Sequence, residues 1–385
     1  MPTTVRSFSK INLGLAVGPL REDGFHPLVT CYQTLAAHDL VRIEARRLAA
    51  GERSRISLEC FRDGKQAAGV PQTATGDAEK NTAWRIVAGA LERLGVVAEV
   101  AIHIDKRLPV QGGMGAGSAN AAAALVALER ELQRLSFEQR LSPEARLQLA
   151  AEIGSDVPLF LLGGAVRGVG RGEIVSQLPD IAGDGVAVPC VIVVPQVGVS
   201  TKRAFAELDR RFERQDGGGL HSAASVDKLE ELSRVLAAAF AQQAGGPSGI
   251  TGMTAGADTP PVFGASPKIC EVHGPQASAL GQNLHGDLAE TPLALLVRTG
   301  IENDFEEVAF SEHPFLREYK HTLVGDGDSS ALYAALSGSG SALFGLYRSP
   351  ADAEAAQRRI QQAGAQAFVT ETLPRTAYWE RVFVD

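Results

Sequence analysis

Four glycines fall within six residues, at Gly112, Gly113, Gly115 and Gly117, inside the stretch Leu108–Leu125. Before them the β-like run Val100–Asp105 gives out, and after them Leu125, Leu128, Leu132 and Leu135 recur at helical spacing. No other feature constrains the chain as much. Such glycines let the backbone take positive φ and leave amide N–H groups uncovered by side chains. Ser118 and Asn120 are capping residue types at the start of the helix, where unpaired N–H groups and the helix dipole attract anions. A phosphate chain is the natural guest of such a place. The stretch is not a P-loop, because no Gly-Lys-Ser/Thr follows the glycines, and no G-x-G-x-x-G register fits it. A glycine turn feeding an alanine-rich, closely packed helix accounts for it equally well.

The rest of the composition limits the guest. With 385 residues, 45% hydrophobic and 21% charged, the chain is ordinary globular material, long enough for two domains. A net charge of −8 argues against general nucleic-acid binding, so an anionic substrate needs a local pocket of donors. Cys31, Cys60, Cys190 and Cys270 form no C-x-x-C pair, which fits a reducing compartment and gives no zinc site. The N-terminus lacks a signal peptide's apolar core. Val186–Val199 is too short to span a bilayer and carries Pro189 and Pro195. A soluble, cytoplasmic protein is expected.

Along the chain, Val5–Val17 alternates as a strand, with Lys10 and Asn12 on one face and Ile11, Leu13 and Leu15 on the other. By pattern alone Lys10 belongs on a solvated strand edge. A turn at Asp23-Gly24 leads into extended chain, and Pro27 keeps His26 out of the helical region. The pattern reads as a hairpin with a packed Phe25 and a solvated His26. Asp39–Glu44 and Ser54–Glu59 read as strands, 62–77 as an aperiodic loop, and Asn81–Leu94 as a helix stopped at Gly95. Ser142 and Pro143 read as N-cap and first residue of a helix ending near Gly154. Asp156 follows in a short bend, where its ordinary role is to bond nearby backbone N–H groups. Gly168–Glu173 is a tight turn into a strand.

Val186–Val197 reads as a buried strand opening a second domain, followed by a helix capped by Ser200 or Thr201. Residues 215–225 and 245–267, rich in Gly, Ser, Thr, Ala and Pro, read as mobile insertions. The remainder is expected to run helix Ile301–Phe310, strand Ala331–Leu336, a second glycine loop Ser337–Ser341 and strand Ala342–Tyr347. Helix Pro350–Ala363 and strands near Ala367–Thr372 and Tyr378–Val384 then close an α/β sandwich.

In order, these pieces are a lysine in the first strand, a proline-led glycine loop before a helix, an Asp-Val-Pro turn and a late Ser-Gly-Ser-Gly loop. The set resembles the GHMP small-molecule kinases, and within them the branch acting on a cytidine-diphosphate-linked methylerythritol. The narrower match rests on Ser9–Leu15, Arg21–His26 with Thr30 and Gln33, Ile153–Phe160, Gly168–Glu173 and Ile301–Asp304. It covers residues 3–205 and roughly 290–385 and fails between them.

The resemblance implies an α+β, two-domain fold. Residues 1–185 would form a ribosomal-protein-S5-domain-2-like ATP-binding domain. Residues 186–385 would form a ferredoxin-like α/β sandwich with a flexible insertion around 210–285, its last strand returning to the first domain. It implies ATP as phosphoryl donor, with Mg2+ whose ligands are not identified, and the 2-hydroxyl of the methylerythritol unit as acceptor. The protein would be a monomer or homodimer with neither nucleic acid nor membrane as partner. Pro109, Val110, Gln111, Gly112, Gly113, Met114, Gly115, Ala116, Gly117, Ser118 and Ala119 would wrap the ATP phosphates, with Asn81 and Lys106 near the adenosine. Lys10 and Asp156 would be the catalytic pair and Asn12 would touch the acceptor. Phe25, His26, Thr201 and Phe205 match positions that hold the cytidine, the two phenylalanines as walls of a slot.

These residue types suit the chemistry, since phosphoryl transfer needs an in-line hydroxyl and stabilisation of the charge on the moving group. A carboxylate can take the hydroxyl's proton or instead orient the lysine and the hydroxyl, and a nearby ammonium keeps that carboxylate ionised. Three positions depart from the family's habit: Gln111 where glycine is usual, Ala119 where serine is common, and Phe25 in place of a frequent tyrosine. Two alternatives remain. A GHMP kinase for homoserine, mevalonate or a sugar would give no reason for the Asp23–His26 segment paired with Phe205. A non-catalytic nucleotide-binding relative would have no need of Lys10 and Asp156.

Overall fold

The computed structural model describes residues 1–49, 51–109, 112–183, 185–215, 229–238, 291–298 and 300–384. The expected insertions at 215–225 and 245–267 lie almost wholly outside these residues, as do Val110 and Gln111.

The first of two sheets is built on a pair of long strands, β1 (Thr3–Val17) and β2 (Leu28–Arg47). The far edge of β2 is shared. Its first half pairs with β6 (Ala165–Val169) and its second half with β5 (Ala98–Asp105). Beyond β5 lies parallel β3 (Arg55–Arg62) with the short β4 (Lys65–Gln66), and β7 (Ile174–Gln177) completes a hairpin with β6. The segment 62–77, expected as plain loop, contains β4 and a 3₁₀ turn at Thr73–Thr75. The β1–β2 register slips twice, between Phe8 and Ser9 and between Asn12 and Gly14. Such slips bend a strand and re-aim its side chains, and here they bracket Ser9–Asn12.

Two helices cover one face of this sheet and a third packs on them. Helix α1 (Thr82–Leu94) starts at the Asn81 cap, whose side chain accepts from Ala83 N, and stops at Gly95 in the left-handed region. Its buried face carries Ile86, Val87 and Leu91, each worth about 1.5–3 kcal/mol on full burial. Helix α2 (Ala116–Arg134) follows the glycine loop, and α3 (Pro143–Ile153) begins at Ser142 and Pro143 as expected. Seven residues of α2 between Ala119 and Leu128 are buried alanine or valine, which lets α2 lie close against both β1 and β2.

The second sheet has the order β11-β8-β10-β9: β8 (Pro189–Val194), β9 (Tyr333–Leu336), β10 (Leu343–Leu346) and β11 (Gln366–Glu371). Around it lie α4 (Thr201–Gln215), α5 (residues 229–238) and α6 (Pro292–Arg298). They are followed by α7 (Glu306–Glu312), α8 (Phe315–Val324) and α9 (Pro350–Gln362). The helix expected over 301–310 begins only at Glu306. Asn303 instead spends its side chain on neighbouring backbone, accepting from Phe305 N and donating to Leu336 O and Gly338 O.

The strand expected over 378–384 is mostly helix, α10 (Arg375–Arg381), and only β12 (Phe383–Val384) is extended. β12 pairs with Thr4 and Val5 of β1, so the last described strand lies in the first sheet. Both β11 and α10 lean on that sheet: Ala37 N donates to Thr370 Oγ1 at the β2 slip, and the Tyr378 hydroxyl donates to Phe160 O.

Candidate active site

Lys10 was expected on a solvated edge and is instead buried, 2% exposed. Its Nζ donates to Asn12 Oδ1 (2.6 Å) and lies 3.5 Å from Asp156 Oδ2. Burial pushes the Lys10 ammonium below its usual value, while the Asp156 charge works in the opposite direction. Asp156 sits in the turn between α3 and the 3₁₀ helix Pro158–Leu161, its side chain 32% exposed. Its Oδ1 accepts from the Tyr32 hydroxyl at 2.9 Å. Asn12 Nδ2 in turn donates to Thr30 Oγ1 (2.8 Å). Lysine, asparagine, aspartate, tyrosine and threonine form one connected cluster on a single face of the β1–β2 pair.

Both glycine loops reach this cluster. Gly115 has φ +68°, and a Cβ there would lie 3.2 Å from Lys10 Cε and 3.0 Å from Phe160 Cζ. Gly113 has φ +73°, and a Cβ on it would come within 2.1 Å of Ser337 O. Side chains are excluded at both positions. The Ser337 hydroxyl donates to Gly113 O (3.0 Å), and a Cβ on Gly338 would sit 3.5 Å from Lys10 Nζ. The late Ser337–Ser341 loop therefore seals one side of the lysine.

Behind the first glycine loop opens a cavity of about 410 Å³, lined by the glycines, Met114, Ala116, Ser118, Lys106 and Asn81. Its apolar wall is Val70, Pro71, Cys60 and Ile104. Helix α2 begins at its mouth with no side-chain cap. Ser118 and Asn120, expected as caps, are not, because Gly115 holds that position and both serine and asparagine fall inside the helix. The free N–H groups of the first turn are thereby left to the cavity. Ser118 is also close to the Asp156 turn, its Oγ 4.0 Å from the place of a Cβ on Gly154.

Other expected ligands are differently engaged. Ala119 packs into the core, and Pro109 and Gly112 line the cavity. Lys106 is ion-paired with fully buried Asp39, which also accepts from Arg107 N and Leu108 N. Asn81 spends its side chain on Ala83 N and Pro71 O. Both residues shape the wall more than they offer free groups.

The residues expected at the cytidine are arranged differently from a Phe25–Phe205 slot. Phe205 on α4 stacks on the ring of His26 (5.0 Å, 17° between planes) and meets Phe305 edge-on. His26 is 8% exposed, not solvated; its Nδ1 faces Gly18 O at 2.9 Å and its Nε2 lies 3.5 Å from Asp209. Phe25 is 48% exposed and lies under the Arg171 guanidinium, 4.7 Å from its ring centre. Thr201 Oγ1 is 2.9 Å from Ser339 Oγ, joining α4 to the second glycine loop. Sequence reading gave Tyr32, Asn303 and Asp39 no role. Buried polar side chains, Tyr32 and Asp39 on β2 and Asn303 ahead of α7, are invisible to a hydrophobic pattern.

Among the described residues no group of three or more His, Cys, Asp or Glu side chains is placed to hold a metal, and no helix is long and apolar enough to cross a membrane.

With a glycine loop on a helix N-terminus beside a buried lysine and an aspartate, the chain belongs to the GHMP kinase family. The family's N-terminal domain pattern matches residues 81–164 and its C-terminal pattern residues 284–366. Two relatives, from Solibacter usitatus and Kineococcus radiotolerans, are both 4-diphosphocytidyl-2-C-methyl-D-erythritol kinases. The first is 30% identical over 360 residues, 94% of this chain and 85% of its own length. The second is 41% identical over 210 residues, 54% of this chain, and the match spans only 58% of that relative. The solved structure of a 4-(cytidine 5'-diphospho)-2C-methyl-D-erythritol kinase superposes with a TM-score of 0.59 at 24% identity, covering 96% of this chain and 99% of that one. At that identity it speaks for the fold.

Proposed function

We propose that the protein transfers the γ-phosphoryl group of ATP to the 2-hydroxyl of 4-diphosphocytidyl-2-C-methyl-D-erythritol. The observation that carries this reading is the 3.5 Å Lys10–Asp156 pair set at the rim of the glycine loop. The first turn of α2 and the glycines hold the phosphates through backbone N–H groups. The Asp156 carboxylate accepts the acceptor's hydroxyl proton as the new O–P bond forms and the bond to the ADP oxygen breaks. Lys10, short of water and pressed toward losing its proton, is a strong electrostatic partner for the alkoxide character that develops there.

The cavity lining carries no carboxylate, so Mg2+ would be held mainly through phosphate and water oxygens, with the Ser118 hydroxyl available as a protein ligand. His26, Phe205, Thr201 and Phe25 are the candidate cytidine contacts, and the stacked His26 and Phe205 rings supply its flat apolar surface. We assign residues 1–185 with the returning β12 to the ATP-binding domain and 186–382 to the second. Cytoplasmic placement rests on the unpaired Cys31, Cys60 and Cys190.

An ADP-release assay over a panel of alcohols tests the reading. Turnover is expected with the cytidine-linked substrate and not with homoserine or mevalonate. Equal turnover of free methylerythritol would move the chain to another acceptor class.

A further inference from the structure

The Asp156 carboxylate has two oxygens and two protein partners, one for each. Lys10 faces Oδ2, and Oδ1 accepts from the hydroxyl of Tyr32. Tyr32 lies on β2, opposite Asn12 of β1, 124 residues away from Asp156 in sequence. Its ring is not simply a core filler that happens to end near a carboxylate. A Cβ on Gly168 would come within 2.5 Å of Tyr32 Cε2, and one on Gly172 within 2.4 Å of the hydroxyl itself. The turn Gly168–Gly172 thus leaves a slot whose floor is shaped to the phenol, including its oxygen. Lys10 Nζ lies 5.6 Å from the centre of the same ring, so the tyrosine touches both members of the pair. Burial, reinforced by the charges of Asp156 and Glu173, holds the phenol protonated well beyond its usual range, so it acts as a donor throughout the working range of pH.

We infer that Tyr32 is a positioning residue for the phosphoryl transfer, its hydroxyl fixing one oxygen of Asp156 so that the other stays between Lys10 and the acceptor hydroxyl. Without it, a carboxylate that is one-third exposed and anchored by a single 3.5 Å ion pair rotates about its last bond. The inference rests on the kinase reading above.

Tyr32→Phe is the test, since it keeps the ring in its slot and removes only the oxygen. A hydrogen bond to a charged group of this kind is worth roughly a 10- to 100-fold change in rate. The variant is expected to lose about that much kcat with both KM values and the melting temperature unchanged. In an Asp156→Asn background, itself slower by about 10²–10⁴-fold, the same change is expected to cost less than about twofold, because the hydroxyl acts only through the carboxylate. A parent-like kcat in Tyr32→Phe, or a full loss again in the Asp156→Asn background, overturns the inference while leaving the kinase reading intact. An inactive parent chain overturns both. A loss confined to melting temperature makes Tyr32 a packing residue and also overturns it.

Discussion

A buried ammonium is costly, and at Lys10 the cost is only partly offset. Desolvation disfavours the charge more than Asp156 favours it, so the pKa is depressed. The sign of the consequence is fixed: if catalysis needs the protonated lysine, the proton is lost earlier than in an ordinary lysine as pH rises. The alkaline limb of kcat/KM, which reports the free enzyme, is therefore expected below pH 10.5, the ordinary lysine value. A profile flat through pH 10.5 would take the Lys10 charge out of the mechanism. The position of this lysine was half legible. Alternation put Lys10 and Asn12 on one face, and they are bonded to each other. Their depth was not legible, because the covering groups come from Gly115, Gly338 and Phe160, all remote in sequence.

Among the elements, the glycine loop divides into two kinds of glycine. Gly113 and Gly115 are required by positive φ and by contact with Ser337 and Lys10; Gly117 has ordinary φ and its nearest neighbour, Thr82 Oγ1, stands 3.8 Å from a Cβ placed there. A bulky residue at Gly115 would push on Lys10 and confuse binding with catalysis. Gly117→Ala is the cleaner probe. It is expected to fold as the parent and to weaken ATP roughly 2- to 10-fold, the worth of one spoiled backbone hydrogen bond. Unchanged ATP affinity would place the phosphates away from the first turn of α2. The sequence announced loop and helix but misassigned the cap to Ser118 and Asn120, since nothing local marks Gly115 as the residue that turns. Similarly, Phe205 was paired with Phe25, whereas α4 lays it on His26. Which aromatic faces which is decided by how two domains meet.

For the molecule as a whole, the decisive fact is that its last described strand belongs to its first sheet. Tyr378 of α10 packs on Phe8, bonds Phe160 O and leaves no room for a Cβ on Gly163, so residues 375–384 clamp the segment that follows Asp156. Heating is expected to give a single cooperative transition, not one per domain. Tyr378→Ala, emptying a large buried site, should lower that transition by roughly 5–10 °C. Two well-separated transitions in the parent, only one of them moved by Tyr378→Ala, would show that the clamp does not couple the halves. The return of the chain end was an expectation of family resemblance, while the helix that delivers it was read as strand. Residues 378–384 are too short and too apolar for periodicity to separate the two.

The pairing of Thr4 and Val5 with residues 383 and 384 also sets a timetable. A ribosome adds about 5–20 residues per second, so the strand that carries Lys10 emerges well before β12 and waits tens of seconds for it. Throughout that interval β1 has an unfilled edge, the kind of surface that recruits foreign strands. Products stalled before α10 and β12 should therefore be aggregation-prone even though Lys10 and Asp156 have already been made.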